Sequence, residues 1–336
     1  MIKSILPLFK SSSPSCSSKL FNNSRSIYLF NNSNNYNRNF TSTSNKMTDA
    51  RKQLFVSPQW LNDNQNKVKI LDASWFMAHE KRDPRKEYVD KHIANSKLFD
   101  IDEICDKTVK LPHNLPTAQF FEKEMQRLGV SNDDHVVIYD SRGQYIASAR
   151  VWWTFLVFGH PATKVSLLEG GLPAWEKSGY KVVAGDIVNN TDSAIQYKAT
   201  VNKDLVWDKE TMLANLDTKE YQVLDARAGD RFWGRVDEPR PGLRRGHIPG
   251  SLNIPWVEVI TPEGGYYAKD KLTQIFKDKG VELDKKIATT CGSGTTAAVL
   301  SLGVYELGHP IPPVYDGSFS EWGLPEHKLP LSCSND

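Results

Sequence analysis

The body of this 336-residue chain reads twice. Val68-Lys-Ile-Leu-Asp-Ala-Ser74 returns as Gln222-Val-Leu-Asp-Ala-Arg227, and Lys91-His-Ile93 as Gly246-His-Ile248. His135-Val-Val-Ile-Tyr-Asp140 returns as Lys286-Ile-Ala-Thr-Thr-Cys291, and Phe158-Gly-His160 as Leu307-Gly-His309. Leu167-Leu-Glu-Gly-Gly-Leu-Pro-Ala-Trp175 returns as Val314-Tyr-Asp-Gly-Ser-Phe-Ser-Glu-Trp322. The order is kept and the offsets stay near 150 residues. Whatever this chain folds into must therefore be a unit that can be built twice, each copy long enough for its own core.

Within each copy, short apolar strands alternate with amphipathic helical stretches. In the second copy, residues 221–225, 287–290 and 313–315 read as strands, and 271–279 and 295–307 as helices. That alternation predicts an α/β fold, with a mainly parallel sheet flanked by helices on both faces and ligands at the carboxyl ends of the strands. The expected organisation is a presequence over 1–46, a first domain over 52–183, a linker over 184–203 and a second domain over 204–332. Gly185, Asn189-Asn190 and Asp192 mark the linker.

The chemistry concentrates at one strand end. Cys291 opens the run Cys291-Gly-Ser-Gly-Thr-Thr-Ala297, directly after a predicted strand and directly before a predicted helix. Backbone N–H groups of such a loop can converge on one sulfur, and the helix N-terminus adds partial positive charge behind them. Both favour the thiolate, which is the nucleophilic form. The first copy carries Asp140 at the matching position. A carboxylate is no sulfur nucleophile, so one active site per chain is expected, with residues 140–145 forming part of the wall between domains.

Composition narrows the alternatives. Four cysteines with neither a CxxC spacing nor a paired-histidine pattern argue against a zinc site or a disulfide scaffold. No run of 18 apolar residues is present, so no membrane span is expected. The near-neutral net charge hides an asymmetry: residues 1–48 hold six basic side chains and no acidic one, which leaves the body slightly acidic and without the footprint of a nucleic-acid binder. Basic, Ser-rich and acid-free is the composition of a mitochondrial presequence, so a matrix location is expected, and Met47 is placed to start a shorter cytosolic form.

Together these motifs resemble the two-domain rhodanese family over roughly residues 52–325. The resemblance rests on Leu71-Asp-Ala-Ser-Trp75, Val151-Trp-Trp153, Leu168-Glu-Gly-Gly171, Arg231-Phe-Trp-Gly234 with Glu238-Pro-Arg240, Gly246-His-Ile-Pro-Gly250, the Cys291 loop and Tyr315-Asp-Gly-Ser318. It implies tandem rhodanese-like domains, the first inactive, and sulfur transfer through a persulfide on Cys291. Thiosulfate-using members of the family have two cations beside the cysteine. Here Gly292 and Ser293 stand there, the form of the members that use 3-mercaptopyruvate and release pyruvate. The acceptor implied is a thiol, a thioredoxin or cyanide, and no metal or organic cofactor is implied.

The resemblance also assigns expected roles. Arg231 and Arg240 become a carboxylate clamp, suited to the guanidinium fork. Gly292, Gly294, Thr295 and Thr296 line the substrate, with the Thr295 hydroxyl placed to touch the persulfide. Ser293 relays or donates a hydrogen bond, and His92 and Asp83 are expected to complete that relay from the first copy. The family pattern departs at His92, which is followed by Ala94-Asn95 rather than Pro-Gly. Arg227, His247, Asp225 and Asp316 read as structural. Three other readings are weaker. A thiosulfate:cyanide sulfurtransferase lacks the two cations, a cysteine phosphatase lacks the arginine that Ala297 replaces, and a catalytically dead scaffold leaves Cys291 unexplained.

Overall fold

The computed structural model describes residues 53–186, 189 and 194–333. Residues 1–46, expected as a presequence, Met47 and part of the expected linker lie outside the described residues. The first sheet is built from β1 (Phe55–Val56), β2 (Lys69–Asp72), β4 (Ser96–Leu98), β5 (Val136–Tyr139) and β6 (Val165–Leu168). β3 (His92–Ile93) and β7 (Val182–Val183) pair antiparallel as a separate ribbon. The second sheet is built from β8 (Val206–Trp207), β9 (Tyr221–Asp225), β10 (Leu252–Asn253), β11 (Lys286–Thr290) and β12 (Val314–Tyr315).

The strand orders are β1-β6-β5-β2-β4 and, read in the same sense, β8-β12-β11-β9-β10. The two orders correspond strand for strand, and every pairing within the two sheets is parallel. The sequence repeat is thus a repeat of topology. The helices predicted over 271–279 and 295–307 form as Lys269–Asp278 and Ala297–Glu306, within the usual drift of helix ends.

The two copies meet through equivalent helices. Ile146–Val157 follows β5, and Ala297–Glu306 follows β11. All twelve residues of the first and nearly all of the second are buried, the pattern of a helix surrounded by protein on every side. Trp152 and Tyr305 lie across this seam with ring centroids 5.8 Å apart. One apolar cluster runs from Leu54 through Trp152 and Leu300 to Val314, so the copies share a core rather than merely touching. The loop entering each of these helices consequently faces the other copy.

Candidate active site

Cys291 directly follows the central strand β11, which is held between β9 and β12. Its side chain is buried, the residue being 2% exposed. Its backbone is pinned from the segment after β12: Cys291 N–H donates to Ser318 Oγ at 3.3 Å, and its carbonyl accepts from Phe319 N–H at 2.9 Å. Gly292 O accepts from Ser320 N–H at 2.8 Å. Among the described residues no oxygen accepts from the N–H groups of residues 292–296.

The first copy shows what such a loop holds. Asp140 Oδ1 accepts from the N–H of Arg142 at 3.0 Å and of Gly143 at 2.7 Å, and Oδ2 accepts from Ser148 Oγ at 2.7 Å. Ser293 and Gly294 are the matching positions in the second copy. The same backbone therefore closes around a carboxylate in one copy and is left open around a sulfur in the other, as a cradle for a negatively charged group would be.

Gly294 is required by its backbone and its neighbours, and Gly292 leaves room for a guanidinium. A Cβ on Gly292 would sit 2.8 Å from Arg231 Nη2. Gly294 has φ +76°, and a Cβ there would sit 2.8 Å from Arg150 Nη1 and 3.0 Å from Asp316 O. Cations thus approach the loop through the space that side chains would fill.

Arg231 reaches the loop from the short helix Gly229–Phe232. Glu238 holds it through Nε at 3.2 Å and Nη2 at 2.5 Å. Glu238 is in turn fixed by Arg227 Nη1 at 2.9 Å, so one carboxylate orients a structural arginine and a loop-facing one. Arg240 differs. It is half-buried, and no hydrogen-bond or ion-pair partner engages it among the described residues. Burial lowers its proton affinity and the like charge of Arg231 adds to this, against the opposing pull of Cys291, Glu238 and Asp102. A guanidinium placed between these groups without a partner of its own is available to a ligand anion.

The relay does not form as expected. His92 stacks on Tyr88 with ring centroids 4.1 Å apart, and its Nδ1 lies 2.7 Å from Tyr88 O. Asp83 caps the helix Pro84–Asp90, accepting from the N–H groups of Arg85 and Lys86 at 2.9 and 3.1 Å. Neither residue contacts the loop. His113 stands there instead, with Nδ1 3.1 Å from both Ser293 Oγ and Thr295 Oγ1 and Nε2 2.8 Å from Asp102 Oδ1. Asp102 also accepts from Trp75 Nε1 at 2.9 Å, and Trp75 meets the imidazole edge-on at 5.0 Å. The Thr295 hydroxyl therefore engages the imidazole rather than the sulfur position.

Since a carboxylate only accepts, Nε2 carries the proton and Nδ1 presents its lone pair to the two hydroxyls. Burial pushes the His113 imidazole below its ordinary proton affinity; Asp102 opposes this, and Arg240 and Arg150 reinforce it. Burial tends to raise the Asp102 carboxyl, but the His113 hydrogen bond and charge, with Trp75 and Lys107, outweigh it and hold Asp102 below the usual carboxylate range. A neutral base oriented by an ionised acid results.

The resemblance assigned the relay to His92, but the repeat shows His92 to be part of the frame. His92 and His247 are echoes, and the structure treats them alike: His247 stacks on Phe232 at 3.8 Å with Nδ1 2.9 Å from Phe232 O. Both are frame residues. His113, between Pro112 and Leu115-Pro116, belongs to none of the echoed motifs.

Among the described residues no group of His, Cys, Asp or Glu is arranged to hold a metal ion, and no helix is long and apolar enough to cross a membrane. The rhodanese-like domain family matches the chain twice, over residues 57–178 and 208–324. The chain is 41% identical over 293 residues to the 3-mercaptopyruvate sulfurtransferase of Rattus norvegicus, covering 83% of this chain and 97% of that protein. It is 40% identical over 296 residues to the mitochondrial thiosulfate/3-mercaptopyruvate sulfurtransferase 1 of Arabidopsis thaliana, covering 82% and 77% of the two. The crystal structure of the 3-mercaptopyruvate sulfotransferase SseA of Escherichia coli superposes with a TM-score of 0.71 at 35% identity, covering 79% of this chain and 98% of that one.

Proposed function

Because the chain belongs to the rhodanese-like family and is an enzyme of the sulfurtransferase class, we propose that it takes the sulfur of 3-mercaptopyruvate onto Cys291 and passes it to a thiol acceptor. The observation that carries this reading is the uncharged Gly292-Ser293 start of the cradle beside Arg240, a half-buried guanidinium with no hydrogen-bond or ion-pair partner among the described residues. A donor that carries one carboxylate as well as its sulfur gives that guanidinium an anion to hold.

The Cys291 thiolate attacks the donor sulfur, so the S–S bond forms as the C–S bond breaks. The C–S electron pair becomes the pyruvate enolate, held by its carboxylate against Arg240 and Arg231. Ser293 takes the donor's S–H proton while passing its own to His113 Nδ1, and the proton returns to the enolate carbon. Pyruvate leaves and Cys291 keeps a persulfide anion facing the unpaired N–H groups of the loop. An acceptor thiolate, from a small thiol or a thioredoxin, then attacks the outer sulfur and frees Cys291.

The test is steady-state kinetics of the protein with 3-mercaptopyruvate and with thiosulfate at saturating thiol. The reading expects the first to be strongly preferred; a preference for thiosulfate would overturn the donor assignment. Arg240→Met is expected to lower kcat/KM for 3-mercaptopyruvate by about 10- to 100-fold, the worth of one charge-assisted contact. An unchanged value would remove Arg240 from the clamp.

The pH profile follows from His113. The neutral imidazole is the competent form, and its proton affinity lies below the ordinary value of 6.5. Falling pH inactivates the relay only on protonation, so the acid limb of kcat is expected below pH 6.5. An acid limb above that value would assign it to another group. For localisation we read residues 1–46 as a mitochondrial presequence, supported by their basic, acid-free composition and by a relative that is itself mitochondrial. A fluorescent fusion losing mitochondrial location on deletion of 1–46 tests this.

A further inference from the structure

We propose that Arg150 is a positioning residue for sulfur transfer, a clasp across the domain seam that sets His113 against Ser293. The proposal rests on the reading of Cys291 as sulfur carrier and His113 as proton relay.

Arg150 lies in the buried helix Ile146–Val157 of the first copy and is 2% exposed. Its Nη2 donates to His113 O at 2.6 Å and to Asp316 Oδ1 at 2.6 Å, and its Nη1 lies 3.4 Å from Gly294 O. The other oxygen of Asp316 accepts from Leu115 N–H at 2.9 Å. One carboxylate of the second copy thus ties down the residues on both sides of Asn114, one directly and one through the guanidinium. The plane of that guanidinium is supported by the Trp153 ring, 4.4 Å away. The His113 ring then leans back to the second copy and meets Ser293 and Thr295 at 3.1 Å.

The guanidinium therefore sits between the segment that carries the base and the loop that carries the nucleophile. The seam does not need it for adhesion. Trp152 with Tyr305, Tyr145 stacked on Tyr266 at 5.5 Å, and the shared apolar cluster already hold the copies together. A buried ion pair is a poor source of stability compared with apolar packing at the same place. What Arg150 adds is a fixed height of His113 over the loop. Proton transfer needs heavy atoms within about 3.2 Å, and a misplacement of about 1 Å can cost 100-fold.

The experiment is a double-substitution cycle in the full chain, using Arg150→Met and His113→Ala, with 3-mercaptopyruvate as donor and the rate of Cys291 alkylation by iodoacetamide as a second readout. Arg150→Met is expected to lower kcat by about 30- to 100-fold, with KM nearly unchanged and alkylation unchanged. In the His113→Ala background it is expected to have no further effect on the residual rate, because it acts through that histidine. Arg150→Lys should restore part of the rate. Equal losses with and without His113 would overturn the proposal, since a general structural role gives that result. So would an unchanged kcat, or an altered alkylation rate, which would place the effect on the loop. If Arg150→Met does not fold, Asp316→Asn carries the same cycle: it keeps an acceptor for Leu115 and weakens only the clasp. Absence of sulfur transfer in the unsubstituted protein would instead overturn the underlying reading.

Discussion

Cys291→Ser is expected to abolish sulfur transfer, by at least about 10⁴-fold, while leaving the fold intact. The residue is 2% exposed and its backbone bonds to Ser318 and Phe319 do not involve the sulfur, so an isosteric hydroxyl disturbs little. Its chemistry is lost outright, because a serine oxygen neither ionises in this cradle at neutral pH nor carries a transferable sulfur. After incubation with 3-mercaptopyruvate and no acceptor, the unsubstituted protein should gain the mass of one sulfur atom and the variant none. A variant that still gains it would move the persulfide to Cys105 or Cys333, the other described cysteines. A protein that gains none in either form would return the dead-scaffold reading to contention.

The second large effect is expected at Arg227, far from solvent and not in contact with substrate. Its side chain and that of Asp225 are fully buried. Nε spans both Asp225 oxygens at 3.1 and 3.0 Å, Nη2 adds Asp225 Oδ2 at 2.7 Å and Gly246 O at 3.0 Å, and Nη1 takes Glu238 at 2.9 Å. The guanidinium lies 3.7 Å over the Phe319 ring. Arg227→Met keeps the volume, strands the buried Asp225 carboxylate and leaves Glu238 with Arg231 alone, a loss of about 3–5 kcal/mol. Glu238 would also lose the partner that fixes it, and Arg231 would drift with it. Urea unfolding should show the stability loss, and a raised KM for 3-mercaptopyruvate should accompany it. A loss below about 1 kcal/mol would mean that water enters and rehydrates Asp225 and Glu238.

The repeat made most of the frame legible. Hydrophobic strands recurring at one offset required the same sheet twice, and both sheets have the same strand order. Cys291 was legible because a small-residue loop between a strand and a helix has a narrow range of uses. Arg231 and Arg240 were singled out only through the family resemblance, since six arginines crowd residues 227–245 and nothing local ranks them. The structure distinguishes them by partner: Arg227 is saturated, Arg231 is shared with Glu238, and Arg240 is left open. His113 and Asp102 were illegible for a physical reason. They lie in the long connection after β4, where no periodicity operates, and His113 meets Ser293 only because two buried helices bring the loops face to face. Spacing along a chain carries no record of a contact made across a domain seam.

The Asp140 loop has a consequence beyond the first copy's inactivity. Its carboxylate is a ligand that the chain carries as part of its own covalent structure, bound by the same backbone donors that Cys291 leaves unengaged. On the reading that sulfur passes through Cys291, the donors of the first loop are filled by its own Asp140 carboxylate, while those of the second are open to take and release a group in each turnover. Duplication has left one loop filled by its own side chain, set against the turn over residues 261–265 of the other copy through Gly143 O and Gly265 N–H at 3.2 Å, and the other loop open.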